Sequence, residues 1–491
     1  MELILALDAG TTGVRAVAFD DQLAVVAEHY RELPQYFPSP GEVEHDPHEI
    51  VELAVSTLRE VAARVRAKGH EVAALGLTNQ RETTVGFDRA SGEIFHRALV
   101  WQDRRTAAMC HDVETAGHGP AVRETTGLVL DPYFSATKMR WMLDRGLADQ
   151  ARAPSFATID TWLLWALSGG VEGGTFRTEP SNASRTSLLD LSTLAWSPAM
   201  CDLFGVDPSM LAELRPSAGV FGHVAASVVP ELAGVAITGV LGDQQSALFG
   251  QACFTPGLVK ATYGTGAFVL ASAGDVVPPV VDGLLSTVAW DLGGLGGVNY
   301  ALEGSAFVAG AAVQWLRDLG LITRSSELEG LASTVTDSAG AIFVPAFTGL
   351  GSPFWRPDAR GALMGLSRGV TSAHVARAVV EALAFQVRAM TDAFRDGGVD
   401  VRELRADGGA AAMDLLMGLQ ATNSRVTVQR STTLEATARG AASIAGLASG
   451  HWASLEELSD RWRAAATFAP EDPAVVDVGY AAWTRALERT Q

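Results

Sequence analysis

The chain has 491 residues, of which 48% are hydrophobic and 19% charged, a composition that suits two or three domains with large cores and excludes a largely disordered protein. Its formal net charge of −19, from 37 basic and 56 acidic residues, argues against binding to nucleic acid or to an anionic membrane. The three scattered cysteines, Cys110, Cys201 and Cys253, offer neither a disulfide framework nor metal-ligand spacing, and they suit a reducing compartment.

We expect a cytoplasmic protein that does not insert into a membrane. The first residues lack the features of a secretion signal, because Glu2 stands where a basic segment is required and Asp8 ends the apolar run early. No uninterrupted apolar stretch in the sequence reaches the roughly 18 residues that a membrane-spanning helix needs.

The N-terminus predicts a β-hairpin whose turn carries more polar groups than a hairpin needs. Apolar runs at Leu3–Leu7 and Val14–Phe19 flank the turn residues Asp8-Ala9-Gly10-Thr11-Thr12-Gly13. Backbone N–H groups in such a turn form an anion-binding concavity, and threonine hydroxyls add donors. The Asp8 carboxylate is placed to hold a divalent cation or its waters. A plain hairpin with a capping acid remains the alternative, and Arg15 either offsets the remaining charge or pairs with a surface acid.

The next segment predicts a helix, a strand and a cluster of polar side chains. Apolar residues at helical spacing predict an amphipathic helix over Ile50–Lys68, and an apolar run predicts a strand over Val72–Leu77. Four polar side chains follow that strand directly: Asn79, Gln80, Arg81 and Glu82. The carboxyl ends of strands are where α/β folds place ligands, and an Arg–Glu pair offers donors and an acceptor to polyol hydroxyls. The alternative is a solvated loop whose two charges pair with each other.

A second strand-to-helix junction lies at Gly239–Gly250, in the sequence GVLGDQQSALFG. Asp243 stands at the junction, where it either caps the helix or acts as a general base at the mouth of the same cleft. Gln244 and Gln245 would then orient a substrate hydroxyl or a phosphate.

The segment Leu258–Ser272 repeats the opening pattern of apolar strand, Gly-Thr-Gly turn and apolar strand. Gly10 and Gly264 are separated by about half the chain, which is too long for a solenoid and suits two related domains. The strands and helices alternate, which favours an α/β fold. We place the boundary within residues 245–257, around Pro256-Gly257, and give the domains as residues 1–247 and 248–491. Chance similarity between glycine-rich turns is the alternative.

Two further elements follow in the second half. Helical periodicity predicts an amphipathic helix over Ala373–Phe394, and Leu404–Gln420 reads as a strand, a Gly-Gly pair and a helix. A glycine pair at that position lets a bulky ligand approach the backbone closely, although a tight strand-helix connection explains it equally.

Taken together, these stretches resemble the FGGY family of carbohydrate kinases, and within it the glycerol kinases. The matches run along nearly the whole chain: PSPGEVEHDP (38–47), TNQRETT (78–84), VWQDRRTA (100–107), TGLVLDPYFSATK (126–138), SNASRT (181–186), GDQQSALFGQ (242–251), TYGTGAF (262–268), NYALEG (299–304), GAAVQWLRD (310–318), VPAFTGLGSPFW (344–355) and GALMGL (361–366). So many matches in the same order are highly specific.

The resemblance implies a fold, a reaction and partners. It implies two ribonuclease H-like domains of the actin and hexokinase type that flank a catalytic cleft. The implied reaction is ATP-dependent phosphorylation of glycerol to sn-glycerol 3-phosphate, with ATP and Mg²⁺ as cofactors. It also implies a homo-oligomer, either a dimer or a tetramer.

The resemblance further implies roles for individual residues. Asp243 would be the general base and, with Asp8, a metal-associated acid. Residues in family positions that bind the polyol are Arg81, Glu82, Trp101, Tyr133, Asp243, Gln244 and Phe268. Residues in family positions near the nucleotide are Gly10, Thr11, Thr12, Arg15, Thr265, Gly310, Gln314, Gly409 and Met413.

Some positions depart from the family pattern. Met413 stands where the family usually has an asparagine near the adenine, and Gly418 replaces a usual glutamine. The loop at 224–232 lacks the Gly-rich, Arg-bearing sequence associated with inhibition by fructose 1,6-bisphosphate. The alternatives are therefore an FGGY kinase for another polyol or ketose, a degenerate relative, and an assembly-type actin-like ATPase.

Overall fold

A computed structural model describes residues 1–433 and 435–490. In this part of the chain the strands are β1 (Glu2–Ala9), β2 (Gly13–Phe19), β3 (Val25–Glu32), β4 (Glu44–His45), β5 (Glu71–Asn79), β6 (Val85–Asp88), β7 (Ala98–Leu99), β8 (Pro154–Ala157), β9 (Arg177–Thr178), β10 (Leu189–Asp190), β11 (Ala195–Trp196), β12 (Glu213–Leu214), β13 (Ala218–His223), β14 (Ala236–Gly242), β15 (Leu258–Tyr263), β16 (Ala267–Gly274), β17 (Leu285–Asp291), β18 (Val298–Ala306), β19 (Ile342–Val344), β20 (Ala362–Met364), β21 (Glu403–Asp407), β22 (Thr427–Ser431) and β23 (Ala464–Phe468).

The α-helices of the same residues are α1 (Pro47–Ala67), α2 (Ala107–Thr115), α3 (Gly119–Thr126), α4 (Ser135–Asp144), α5 (Ile159–Leu167), α6 (Pro180–Ala183), α7 (Pro198–Phe204), α8 (Asp243–Gly250), α9 (Gly310–Asp318), α10 (Leu328–Ala332), α11 (Ser372–Asp396), α12 (Asp414–Ser424), α13 (Ala436–Ser449), α14 (Leu455–Ser459) and α15 (Ala474–Leu487). None of these helices is both long enough and apolar enough to cross a bilayer.

The N-terminal half is built on a six-stranded sheet in the order β13-β14-β5-β1-β2-β3. Strands β1 and β2 form the predicted hairpin, and β5 lies parallel to β1 while β14 lies parallel to β5. Alternate residues of β1 face opposite sides of the sheet, so that Leu5 packs in the cluster formed with α1 and Ala6 packs in a different cluster. The predicted amphipathic helix is α1, which begins after Asp46, whose carboxylate accepts from the His48 N–H.

The C-terminal half repeats this arrangement in a seven-stranded sheet of order β17-β18-β16-β15-β21-β22-β23. Strands β15 and β16 form the second predicted hairpin, and β21 lies parallel to β15. The predicted helix over Ala373–Phe394 is α11, which packs in the core on this sheet. The strand, Gly-Gly and helix pattern corresponds to β21, a short 3-10 turn and α12. The predicted α/β architecture with two sheet domains is confirmed.

Two helices lie between the sheets and contact each other closely. Helix α13 packs against β1, β5 and β14 of the N-terminal sheet, although it comes late in the chain, and α8 packs against α13 and against β15, β16 and β17 of the C-terminal sheet. Glycines allow this close approach: a Cβ on Gly440 would lie 1.8 Å from the Ser246 carbonyl oxygen, and one on Gly250 would lie 2.0 Å from the Ala436 carbonyl oxygen. The helix pair therefore joins the two halves of the molecule.

An insertion between β5 and β13 forms a small third core beside the cleft. Helices α2 to α7 and the short strands β6 to β12 lie in this segment. Met139 on α4, Phe156 on β8 and Phe204 on α7 belong to a separate apolar cluster, whereas the apolar side chains of β6 and α5 pack in the cluster formed with α1. This insertion matters for the site because it carries Trp101, Tyr133 and their supporting residues.

Candidate active site

A cavity of about 1280 Å³ lies in the cleft between the two halves. Residues from both hairpin turns, the β5 and β14 carboxyl ends and the insertion line its polar end: Thr11, Thr12, Arg81, Glu82, Trp101, Tyr133, Asp243, Gln244, Thr265, Gly266 and Phe268. All seven residues predicted to contact the polyol are in this set. The carboxyl ends of β5 and β14 meet at one edge of the sheet because the strands are adjacent and parallel.

The predicted nucleotide residues divide into two groups. Thr11, Thr12 and Thr265 line the cavity, whereas the remaining six lie outside its lining: Gly10, Arg15, Gly310, Gln314, Gly409 and Met413. Gly310 supports the second turn, because its N–H donates to the Gly264 carbonyl at 2.9 Å. Gln314 is engaged on the α9 surface by Asp318 and Arg317.

Two more of these residues have protein partners. The Arg15 guanidinium forms an ion pair with Glu435, at the start of α13, and lies over the Tyr30 ring. Met413 precedes α12 and is buried in the C-terminal apolar core. A Cβ added at Gly409 would meet no atom within 4 Å, whereas one added at its neighbour Gly408 (φ of +86°) would collide with the backbone of Tyr263.

A buried network of two arginines and two glutamates lies beneath the polar end of the cleft. Arg81 binds Glu303 through both terminal nitrogens, at 2.6 and 3.0 Å. Arg185 binds Glu82 at 2.7 Å and Glu303 at 3.2 Å. The four side chains are almost fully buried, and their charges sum to zero, which suits burial because each charge has an opposite partner. The predicted alternative of a solvated Arg81–Glu82 loop is therefore wrong.

The network and its burial shift the pKa values of its two carboxyl groups in opposite directions. Burial alone would raise the pKa of Glu303, but the Arg185 and Arg81 guanidinium groups lower it to about 2. Burial raises the pKa of Glu82, against the opposing effect of Arg185. Arg185 and Glu303 were not predicted as site residues, although both lie in stretches that carry the family resemblance. The feature that could have revealed them is a charged residue within an otherwise apolar or small-residue stretch, such as the glutamate in YALEG.

Asp243 is the first residue of α8 and faces the cavity. Its Oδ1 lies 3.1 Å from the Arg81 Nε and accepts from the Gln244 N–H at 2.7 Å. Asp243 is not in the N-cap position, which Gly242 occupies. Two donors thus converge on one oxygen, which leaves the other carboxylate oxygen for a substrate.

Asp8 is close enough to Asp243 for the two carboxylates to repel. Burial, with a smaller contribution from Asp243, raises the pKa of Asp8 to about 7, and Arg15 opposes the rise. Two carboxylates in this situation favour a bound cation. In the described residues no three His, Cys, Asp or Glu side chains form a complete metal cage. Two carboxylates without a complete cage fit Mg²⁺, because this ion keeps several of its waters and also binds the phosphates of the substrate.

Aromatic side chains form one wall of the polar end. The Trp101 Nε1 donates to the Thr11 hydroxyl at 2.9 Å, and its ring contacts those of Tyr133 and Phe268 edge-on, with centroids 5.5 and 6.4 Å apart. The Lys138 ammonium holds the Tyr133 loop by donating to the carbonyls of Pro132, Tyr133 and Phe134. The wall therefore links the insertion to both hairpins.

Sequence profiles of one family cover both halves of the chain. The profile described as "FGGY family of carbohydrate kinases, N-terminal domain" matches residues 3–250, and the corresponding C-terminal domain profile matches residues 259–449. The chain belongs to the FGGY family of carbohydrate kinases.

The chain matches glycerol kinases of the FGGY family over their full length. It is 47% identical over 494 residues to the glycerol kinase of Stenotrophomonas maltophilia, covering 99% of this chain and 98% of that protein. It is also 47% identical to the glycerol kinase of Myxococcus xanthus, covering 99% of each.

Solved structures of FGGY kinases share the fold. The Plasmodium falciparum glycerol kinase with ADP superposes with a TM-score of 0.92 at 33% identity, covering 100% of this chain and 98% of that one. The ligand-bound xylulose kinase from Lactobacillus acidophilus superposes with a TM-score of 0.88 at 20% identity, covering 100% and 97%. The second similarity shows the shared two-domain fold alone.

Proposed function

We propose that this FGGY kinase transfers the γ-phosphoryl group of Mg-ATP to glycerol, giving sn-glycerol 3-phosphate and ADP. The observation that carries this proposal is the full-length similarity to glycerol kinases, and it is supported by the cleft, which is lined by all seven residues that the resemblance assigns to polyol binding. We also propose a cytoplasmic location, which is supported by three cysteines that are all buried and free.

The polar end of the cleft offers hydrogen-bonding groups that suit a polyol. Glu82 supplies carboxylate acceptors, Tyr133 supplies a phenol, and Gln244 supplies an amide. The aromatic wall of Trp101 and Phe268 contacts the carbon chain and limits its length. Arg81 contributes mainly by positioning its neighbour Asp243, because Glu303 already occupies both of its terminal nitrogens.

Asp243 is the proposed general base. Its carboxylate accepts the proton of the reacting glycerol hydroxyl. The hydroxyl oxygen forms a bond to the γ-phosphorus while the bond between the γ-phosphorus and the β–γ bridging oxygen breaks. ADP leaves with the electron pair of that bond. The Arg81 contact at 3.1 Å holds the carboxylate in place. Because phosphoryl transfer depends chiefly on positioning and charge stabilisation, such a fixed acid is sufficient as the base.

The two hairpin turns are proposed to hold the phosphates of the Mg-ATP substrate. Thr11 and Thr12 approach from one half and Thr265 from the other, so their hydroxyls and the turn N–H groups supply donors to the phosphate oxygens. Asp8 and Asp243 would hold the hydrated Mg²⁺, whose charge offsets that of the phosphates. Gly10, Arg15, Gly310, Gln314, Gly409 and Met413 remain proposed nucleotide contacts.

A substrate panel tests the function. ADP release should be fast with glycerol and slow without a polyol. Propane-1,2-diol should lose about one to two orders of magnitude in kcat/KM, because a missing hydroxyl leaves buried polar groups unpaired. Xylulose and gluconate should be worse still, since their extra carbons meet the aromatic wall.

Other outcomes of the panel contradict the proposal. Faster turnover of a pentulose than of glycerol would identify an FGGY kinase for a different substrate. ADP release that no polyol accelerates would favour an assembly-type ATPase.

A further inference from the structure

Lys260 is a fully buried lysine on β15, one of only three lysines in the chain. Its ammonium donates to the Gln244 side-chain oxygen at 2.5 Å and to the Phe268 carbonyl at 3.3 Å. Both partners line the polar end of the cleft, whereas Lys260 does not. The contact also crosses the molecule, because Gln244 belongs to α8 at the end of the N-terminal half and Lys260 belongs to the C-terminal sheet.

The chemistry of this contact determines which way the Gln244 amide faces. An ammonium group has three donors and no acceptor, so the amide must present its oxygen to Lys260. The amide is planar, and its NH₂ group therefore points away from Lys260. Without that ion, either end of the amide could face a ligand in the cleft.

We propose that Lys260 is a positioning residue that holds the Gln244 amide so that its NH₂ group donates to a hydroxyl oxygen of the polyol. The inference rests on the proposed function and assigns Lys260 no contact with the substrate. It explains why a charge is retained in an apolar strand, where an unpaired ammonium is costly.

The surroundings of Lys260 keep it charged near neutral pH. Burial lowers the pKa of Lys260 to about 8, and the carboxylates of Asp407 on β21, Asp243 on α8 and Glu303 on β18 limit the fall, while Arg81 adds to it. Above that pH the amine becomes neutral and can accept as well as donate, so the amide is no longer held in one orientation.

A double-mutant cycle tests the inference in the full-length enzyme. Lys260→Met and Gln244→Leu should each lower kcat/KM for glycerol by about 10- to 100-fold, the cost of losing a hydrogen bond to a charged or buried group. The KM for ATP should change little. In the Gln244→Leu background, Lys260→Met should cause a further loss of less than about threefold, because the two residues act as one unit. Lys68→Met, at the exposed residue that directly follows α1, is the matched lysine control and should behave as wild type.

Losses that simply multiply in the double variant would overturn the inference and leave Lys260 as a purely structural residue. A second measurement does not depend on the folding of the Lys260 variant: the wild-type KM for glycerol should rise as the pH passes about 8, and Gln244→Leu should abolish that rise. A flat wild-type profile between pH 7 and pH 9.5 would also overturn it. If the wild type does not phosphorylate glycerol, the proposed function fails first, and the same cycle is measured with the polyol that it does use.

Discussion

At the scale of single residues, Asp243 is the side chain on which the proposed chemistry depends most. Asp243→Asn keeps the size and the Arg81 neighbour but removes the basic oxygen. We expect kcat to fall by about 10²- to 10⁴-fold, the usual contribution of a general base, while nucleotide affinity is retained. Steady-state kinetics and calorimetric titration with an ATP analogue measure the two effects. Near-normal turnover would show that Asp243 only supports the start of α8.

Asp8 gives a pH-dependent prediction. Its pKa in the folded protein is raised from an ordinary 3.8 to about 7, first by burial and then by Asp243. The folded state therefore holds a proton that the unfolded state has lost, and the contribution of Asp8 to stability falls as the pH rises from about 4 to about 7. Asp8→Asn removes this penalty, so the ligand-free variant should be more stable than wild type at pH 8 by about 1–3 kcal/mol.

Thermal unfolding without nucleotide or divalent cation measures this difference. The advantage of Asp8→Asn should be smaller at pH 5 and should vanish only below about pH 4, where the Asp8 carboxyl is protonated in both the folded and the unfolded state. Mg-ATP should stabilise the wild type and have much less effect on the variant. An equal difference between the two proteins at pH 5 and pH 8 would contradict the assignment.

Local sequence identified the residues that face the cleft better than those that support them. Arg81, Glu82 and Asp243 follow strands directly, so their position at the sheet edge was predictable. Arg185 and Glu303 act through partners that lie far away in the sequence, and no local pattern shows such pairing. For the same reason the sequence did not decide whether Arg15 offsets charge in the turn or pairs with an acidic residue, because its partner Glu435 stands near the other end of the chain.

At the scale of elements, the crossing of α8 and α13 depends on glycine. A Cβ on Gly440 would lie 1.8 Å from the Ser246 carbonyl oxygen, which is helix backbone and cannot rotate away. Gly440→Ala should therefore destabilise the protein by at least about 1–3 kcal/mol through overpacking. Gly418→Ala on α12 is the matched control, because nothing lies within 4 Å of its added Cβ. It should gain about 0.5–1 kcal/mol from helix propensity.

Urea unfolding midpoints compare the two variants. If Gly440→Ala is as stable as Gly418→Ala, then α8 and α13 can move apart with no loss of stability, and their crossing does not depend on close packing. The sequence predicted α8 and both hairpins, because strand alternation and turn glycines are local signals. It did not predict that α13 covers the N-terminal sheet, since the helix periodicity of α13 carries no information on which sheet it meets.

At the scale of the whole molecule, the two hairpin turns face each other across a cavity of about 1280 Å³. Phosphoryl transfer requires that water be kept from the γ-phosphate, and closure of the cleft excludes water while it aligns both substrates. Small-angle scattering should give a smaller radius of gyration with an ATP analogue plus glycerol than for the ligand-free protein. Each ligand alone serves as a control, and identical curves at saturation would contradict closure.

The placement of α13 also affects how the protein is made. The face of the N-terminal sheet that carries Ile4, Ala6 and Phe19 is covered by residues of α13, among them Ala441 and Ile444. A nascent chain therefore leaves this apolar face uncovered until residue 449 has left the ribosome, although the sheet itself is complete by residue 242. The first half cannot bury this face on its own during translation, and a fragment that ends at residue 250 would need a chaperone or a supplied C-terminal half to stay in solution.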